Sequence, residues 1–210
     1  MRFTTFLLAL LVAAAPMSAQ ITYATFIHNS ADPALDRVDL YVTQTGQPQK
    51  VPNQAYQKAN NLGSIILFGG LLTTFSVAPA GSQAEAEAVI RATFTPEENK
   101  VYAVVLSGVQ MPNSYEQNPD GRSIALNLRI IEIPFFDGGF SETGVMAIHG
   151  ATDLEKGDFR LRGSNKVLGQ AIPYDSNSTA LTYVERETSI IDITEPGAPQ
   201  NVLASFQVNF

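Results

Sequence analysis

The chain has 210 residues, 13 Lys and Arg against 20 Asp and Glu, a formal net charge of −7 and a 45% hydrophobic share. The acid excess and the lack of any basic run exclude a protein that tracks nucleic-acid phosphates or anionic lipid, since both need clustered Lys and Arg; the apolar content is that of a folded chain. With no cysteine, neither a disulfide framework nor a lipidated N-terminus is available, and stability has to come from core burial.

The N-terminus reads MRFTTFLLALLVAAAPMSAQ. One basic residue, Arg2, precedes an apolar run over residues 6–15, Pro16 breaks it, and Met17-Ser18-Ala19 offers small residues for cleavage. This pattern predicts a secretory signal peptide over residues 1–19. The run is too short to cross a bilayer, which takes roughly 20 residues, and no later segment approaches that length. The expected location is therefore the periplasm, the cell surface or the medium, with no membrane span.

Alternation of apolar residues carries the rest. TYATFIH at 22–28 and VDLYV at 38–42 read as strands, joined by a polar Asn, Ser, Asp and Pro loop at 29–37. Residues 46–54, with two prolines, read as loop. Residues 64–68 and 73–77 read as strands. QAEAE at 83–87 reads as a short helical turn or loop, followed by a strand over 88–94. VYAVVL at 101–106 is the most apolar run and reads as a central strand. Asn118-Pro119-Asp120-Gly121 is a turn, and IALNLRIIE at 124–132 a further strand. With about seven short strands and no long amphipathic helix, this half predicts an antiparallel β-sandwich. FFDGGFSETG at 135–144 reads as a linker, and a second unit begins at Val145.

The second unit repeats the first. Ile27-His28 and Ile148-His149 align at an offset of 121, VDLYV falls on GDFRL, and FSVAPAGSQAEAEAVIRATF aligns with IIDITEPGAPQNVLASFQVNF, placing Ala-Thr-Phe on Ala-Ser-Phe. The expected architecture is all-β: two tandem Ig-like antiparallel β-sandwich domains, residues 20–134 and 145–210. The second is incomplete, because no counterpart of VYAVVLSGV follows ASFQVNF. That predicts an exposed sheet edge or apolar patch near the C-terminus and a C-terminally truncated product.

ATFIHNSADPALDRVDLYV, SVAPAGS, NPDGRSIALNL and VMAIHGATDLEKGDFRLRG together resemble the domain of unknown function 4397 family. Its members are secreted or surface-exposed bacterial β-sandwich domains, often in tandem. The resemblance covers nearly all of residues 23–210 and implies the fold and an exported setting. It implies no catalytic residue. Family chains often end in a sorting tail, which is not seen here.

The candidate site is the doubled corner: His28, Asp32 and Asp36 in the first unit, His149 and Asp153 in the second. Read chemically, each histidine is a ligand or proton-transfer group beside an aspartate. Read structurally, its ring closes the corner through loop backbone, and repetition favours this, because a duplicated fold duplicates its structural hydrogen bonds. Asp32, Asp36 and Asp39, with Asp153, Glu155 and Asp158, also suggest calcium, but their spacing fits known calcium loops poorly; turn capping is the simpler role. There is no cysteine nucleophile, no G-x-S-x-G around Ser107, no glycine-rich phosphate loop and no HExxH. The absence of Trp weakens, without removing, a sugar-stacking role for the tyrosines. The expectation is a non-enzymatic binding or structural module of the envelope or surface. It needs no cofactor, and its partner is an unknown envelope protein or polysaccharide. The alternative is a secreted hydrolase using a His/Asp corner.

Overall fold

The computed structural model describes residues 20–210 apart from positions 62 and 136; the signal-peptide expectation at 1–19 lies outside the described residues. The described chain is an all-β sandwich protein. It has three short 3-10 turns, at Pro33–Leu35, Glu85–Glu87 and Pro112–Ser114, and no α-helix among the described residues.

The first unit contains β1 (Ile21–His28), β2 (Arg37–Thr43), β3 (Gln49–Ala55), β4 (Lys58–Ala59), β5 (Ile65–Phe68), β6 (Thr73–Pro79), β7 (Ile90–Phe94), β8 (Val101–Ser107) and β9 (Asn127–Ile133). One sheet runs β4-β1-β8-β9, with β5 also on β1; the other runs β3-β2-β6-β7. Alternate residues of each sheet point inward. Phe26, Val104 and Leu106 thus meet Val38, Leu40, Phe75 and Val77 in one core, all at most 1% exposed. Burying each of the larger ones contributes about 2 kcal/mol.

The structure corrects the expectation in two places. β1 and β8 are parallel, whereas every other named strand pair is antiparallel. β8 is buried on both faces: Val104 and Leu106 face the sandwich core, and Ala103 and Val105 face the second unit. That double burial is why VYAVVL reads as a continuous apolar run. Residues 49–54, part of the expected loop 46–54, belong to the edge strand β3. Its polar composition and Pro52 suit an edge, where a missing N–H costs no ladder bond.

The second unit contains β10 (Glu142–Val145), β11 (Ile148–His149), β12 (Lys156–Leu161), β13 (Val167–Pro173), β14 (Ser176–Asn177), β15 (Thr182–Glu185), β16 (Thr188–Glu195) and β17 (Ala198–Asn209). The expected linker 135–144 therefore ends in a strand rather than before one. One sheet runs β13-β12-β16-β17, and two ribbons pair β10 with β15 and β11 with β14. The registers repeat those of the first unit. Ile27 and His28 face Ala59 and Lys58, and Ile148 and His149 face Asn177 and Ser176. Asp39 faces Ala78 on β6, and Asp158 faces Thr194 on β16. The last strand departs from the sequence alignment by two residues: β6 sets Phe75 opposite Ala92, and β16 sets Ile191 opposite Phe206 rather than Ala204.

Candidate functional site

In the first unit, β1 ends at His28 and the chain turns through Asn29–Asp36. His28 is fully buried. Its Nε2 lies 2.6 Å from the Leu35 carbonyl, so Nε2 carries the proton, and Nδ1 accepts from the Ser30 N–H at 3.4 Å. The Tyr56 ring meets it edge-on at 6.0 Å. Burial lowers the imidazole pKa, outweighing the Leu35 carbonyl and the Asp36 charge, which raise it. The neutral form is favoured.

Asp32 does not bond the His28 ring. Its carboxylate accepts the Ala34 N–H at 2.9 Å, capping the 3-10 turn, and the Gln110 N–H at 2.7 Å. Ser30 Oγ donates to the Gly108 carbonyl at 2.6 Å, and the Asn29 N–H to the Leu106 carbonyl at 2.8 Å. The corner is sewn to the end of β8. Asp36 is exposed, and its carbonyl accepts the Tyr56 N–H at 2.9 Å.

In the second unit, His149 is 2% exposed and edge-on to both Tyr174 at 6.2 Å and Phe159 at 6.1 Å. Burial lowers its pKa as well. Unlike His28, neither ring nitrogen has a hydrogen-bond partner among the described residues. Asp153 is exposed where Asp32 is buried, and among the described residues no counterpart of Gln110 reaches it. The Tyr56 and Tyr174 partners were missed in the sequence, although each precedes a residue with positive φ, Gln57 or Asp175, whose N–H donates back to the histidine carbonyl at 2.9 Å in both units.

The carboxylates considered for calcium do not converge: no group of three metal-ligating side chains is placed to hold an ion among the described residues. Asp39 and Asp158 are spent on backbone instead. Burial alone would raise the Asp39 carboxyl, but hydrogen bonds from Lys50, the Asn53 N–H and Ser82 hold it below the usual carboxylate value. Burial opposes Asp158 likewise, and the Ala171 and Gly197 N–H groups with Arg160 hold it down.

The two units meet through β11. Met146 and Ile148 pack on Ile27, Ala103, Val105 and Ile131 of the outer face of the first sheet. Beside them Asp175 accepts from Ser107 and Asn127, each at 2.8 Å, and lies 3.4 Å from Arg129, which also donates to Asn177 at 2.6 Å. Along the same junction a cleft of about 460 Å³ opens, with Val101, Ile133 and Leu181 on its walls and Lys100, Glu132 and Arg186 at its rim. Lys100 and Glu132 pair at 2.6 Å. Sequence reasoning gave no sign of this cleft, because its lining comes from both units and from the segment between them. No family model matches the chain, and a search of curated proteins found no match.

Proposed function

We propose that the chain is an exported protein of two β-sandwich units with a binding or structural role at the cell envelope or surface, its partner an envelope protein or polysaccharide. The export signal at residues 1–19 and the resemblance to the domain of unknown function 4397 family belong to this reading. The observation that carries it is the burial of both histidines, 0% and 2% exposed. A general base has to reach a substrate proton, and these rings face the protein interior. An accessible concavity is the apolar junction cleft, whose size and charged rim are those of a small-ligand or chain-end site.

The test is a binding screen of the purified protein against glycans, cell-wall polymers and envelope proteins, run beside the Ile133→Glu variant, which puts a charge into the cleft wall. Binding lost in Ile133→Glu and kept in His28→Gln and His149→Gln supports the reading. Hydrolysis of any of these substrates, abolished in folded His28→Gln or His149→Gln protein, overturns it in favour of the hydrolase.

A further inference from the structure

Among the described residues, the second unit has no counterpart of β8 or β9, the strands that finish the sheet of the first. In the first unit β8 runs beside β1 from Tyr23 to His28. The Tyr23 N–H donates to the Lys100 carbonyl and the Asn29 N–H to the Leu106 carbonyl, whereas the Phe26 and His28 carbonyls take N–H groups on the β4 side. The odd-numbered backbone groups of β1 therefore face β8. β10 and β11 repeat half of this: the Ala147 and His149 carbonyls take the Ser178 and Asp175 N–H groups. By strand alternation the N–H groups of Gly144, Met146 and Ile148 face the opposite edge, and no strand pairs there among the described residues.

Three further observations surround that edge. Phe206 stands opposite Ile191 on the core-facing side of β17, yet is 52% exposed. Asp153 and His149 lack the partners that Asp32 and His28 have, and in Asp32's case that partner is supplied by the chain just after β8. The third is an apolar patch. Asp175, just before β14, and Asn177 within it reach Asn127 and Arg129 of β9, and β11 covers Ala103 and Val105 of β8, so the free edge of β11 points toward β1 and β5. There Ile21, Tyr23, Ile66 and Phe68, cross-strand neighbours on the outward face, are each more than 40% exposed.

We propose that the second unit accepts an extended strand from a partner protein, added parallel to β10 and β11. The strand is apolar on both faces, as Val101–Ser107 is. Its inward side chains cover Val145 and Phe206, and its outward ones rest on Ile21 and Tyr23. An N–H two residues after its closing glycine bonds Asp153, as that of Gln110 bonds Asp32. Main-chain bonds along the edge supply affinity, and the alternating contacts supply specificity. A second copy fits poorly: its long edge strand β17 is polar at Ser205, Gln207 and Asn209 on one face. This inference goes beyond the cleft and does not depend on it.

The probe is the synthetic peptide NKVYAVVLSGVQ, residues 99–110 of this chain, added to the full chain and followed by amide hydrogen exchange. The expected result is one bound peptide per chain and exchange at residues 144–150 slowed by at least about tenfold, with the response lost in a Val104→Asp peptide. No protection at millimolar peptide, protection confined to β1 through exchange with the chain's own β8, or equal binding of the Val104→Asp peptide each overturns it. So does protection of 144–150 that grows with protein concentration alone, which gives the edge to a second copy. Peptide binding that fails while the cleft still takes its ligand removes this inference alone.

Discussion

Asp39 and Asp158 are one residue written twice. Each carboxylate is buried and accepts the N–H of a positive-φ residue on the neighbouring strand, Asn53 at 2.8 Å or Ala171 at 2.6 Å. Each also accepts the N–H of the glycine in the next hairpin, Gly81 at 2.8 Å or Gly197 at 3.1 Å. Each then pairs with a basic side chain, Lys50 at 2.8 Å or Arg160 at 3.0 Å. One carboxylate thus fixes both a strand bulge and a hairpin. Asp39→Ala removes the buried carboxylate that the Asn53 and Gly81 N–H groups, Ser82 and Lys50 all bond, and is expected to cost about 3 kcal/mol in urea unfolding, and Asp158→Ala a similar amount. A loss below about 1 kcal/mol for both contradicts this role.

The acid dependence follows from these groups in two separate windows. Both aspartates have folded values below the unfolded one, near 3.9. Their contribution is fully present above that value and is lost as pH falls from there through the lower folded values. The histidines are also lowered, by burial of the neutral ring. Their contribution is complete above about 6.5 and falls as pH drops below it, by at most about 1.4 kcal/mol per pH unit for each ring. Unfolding midpoints measured from pH 7 to 5 are therefore expected to fall, and to flatten in a His28→Gln, His149→Gln double variant that still folds. A midpoint independent of pH across that range in the parent protein contradicts the buried neutral rings.

Asp175 ties the units together. Its carboxylate collects Ser107, Asn127 and Arg129 from the first unit. Asp175→Ala leaves the Met146 and Ile148 contact and the Arg129–Asn177 bond in place but removes the bonds to Ser107 and Asn127. The expected outcome is faster proteolysis within residues 135–144 and a loss of about 1–2 kcal/mol. Unchanged cleavage there contradicts this tying role of Asp175.

Gly108 ends β8 with φ +77°, and a side chain there has its Cβ 2.3 Å from the Ala125 carbonyl. Both conformation and space demand glycine. Gly108→Ala is expected to destabilise the first unit by about 2–4 kcal/mol and to loosen Ser30 and Asp32, which bond this segment. A calorimetric scan of the variant matching the parent contradicts the tight approach.

Alternation and turn chemistry made the sandwich legible, because a strand buried on one face records its partner's side in every second residue. The doubled corner was legible for the same reason, and Ile27-His28 and Ile148-His149 hold matching registers. The edge strand β3 was not, since exposure removes the apolar signal. The parallel pairing of β1 with β8 was also hidden: VYAVVL shows burial on both faces but no direction. The slip of β17 arose because Ala-Ser-Phe imitates Ala-Thr-Phe while the bulges around Thr194 shift the register. Of the candidate site, sequence placed His28 and His149 at strand ends but could not show that one is hydrogen-bonded and the other bare. That difference is made by the Leu35 carbonyl and the Ser30 N–H, which hold the His28 ring.

The central claim is that the second unit repeats the first without, among the described residues, counterparts of β8 and β9, so that the edge of β11 matching the β8 side of β1 is open. Residue-resolved amide exchange on the chain alone tests it most directly. Thr25 and Ile27, whose N–H groups face β8, are expected to be protected like the core, while their counterparts Met146 and Ile148 exchange at least about a hundredfold faster. Equal protection of the two pairs contradicts the open edge.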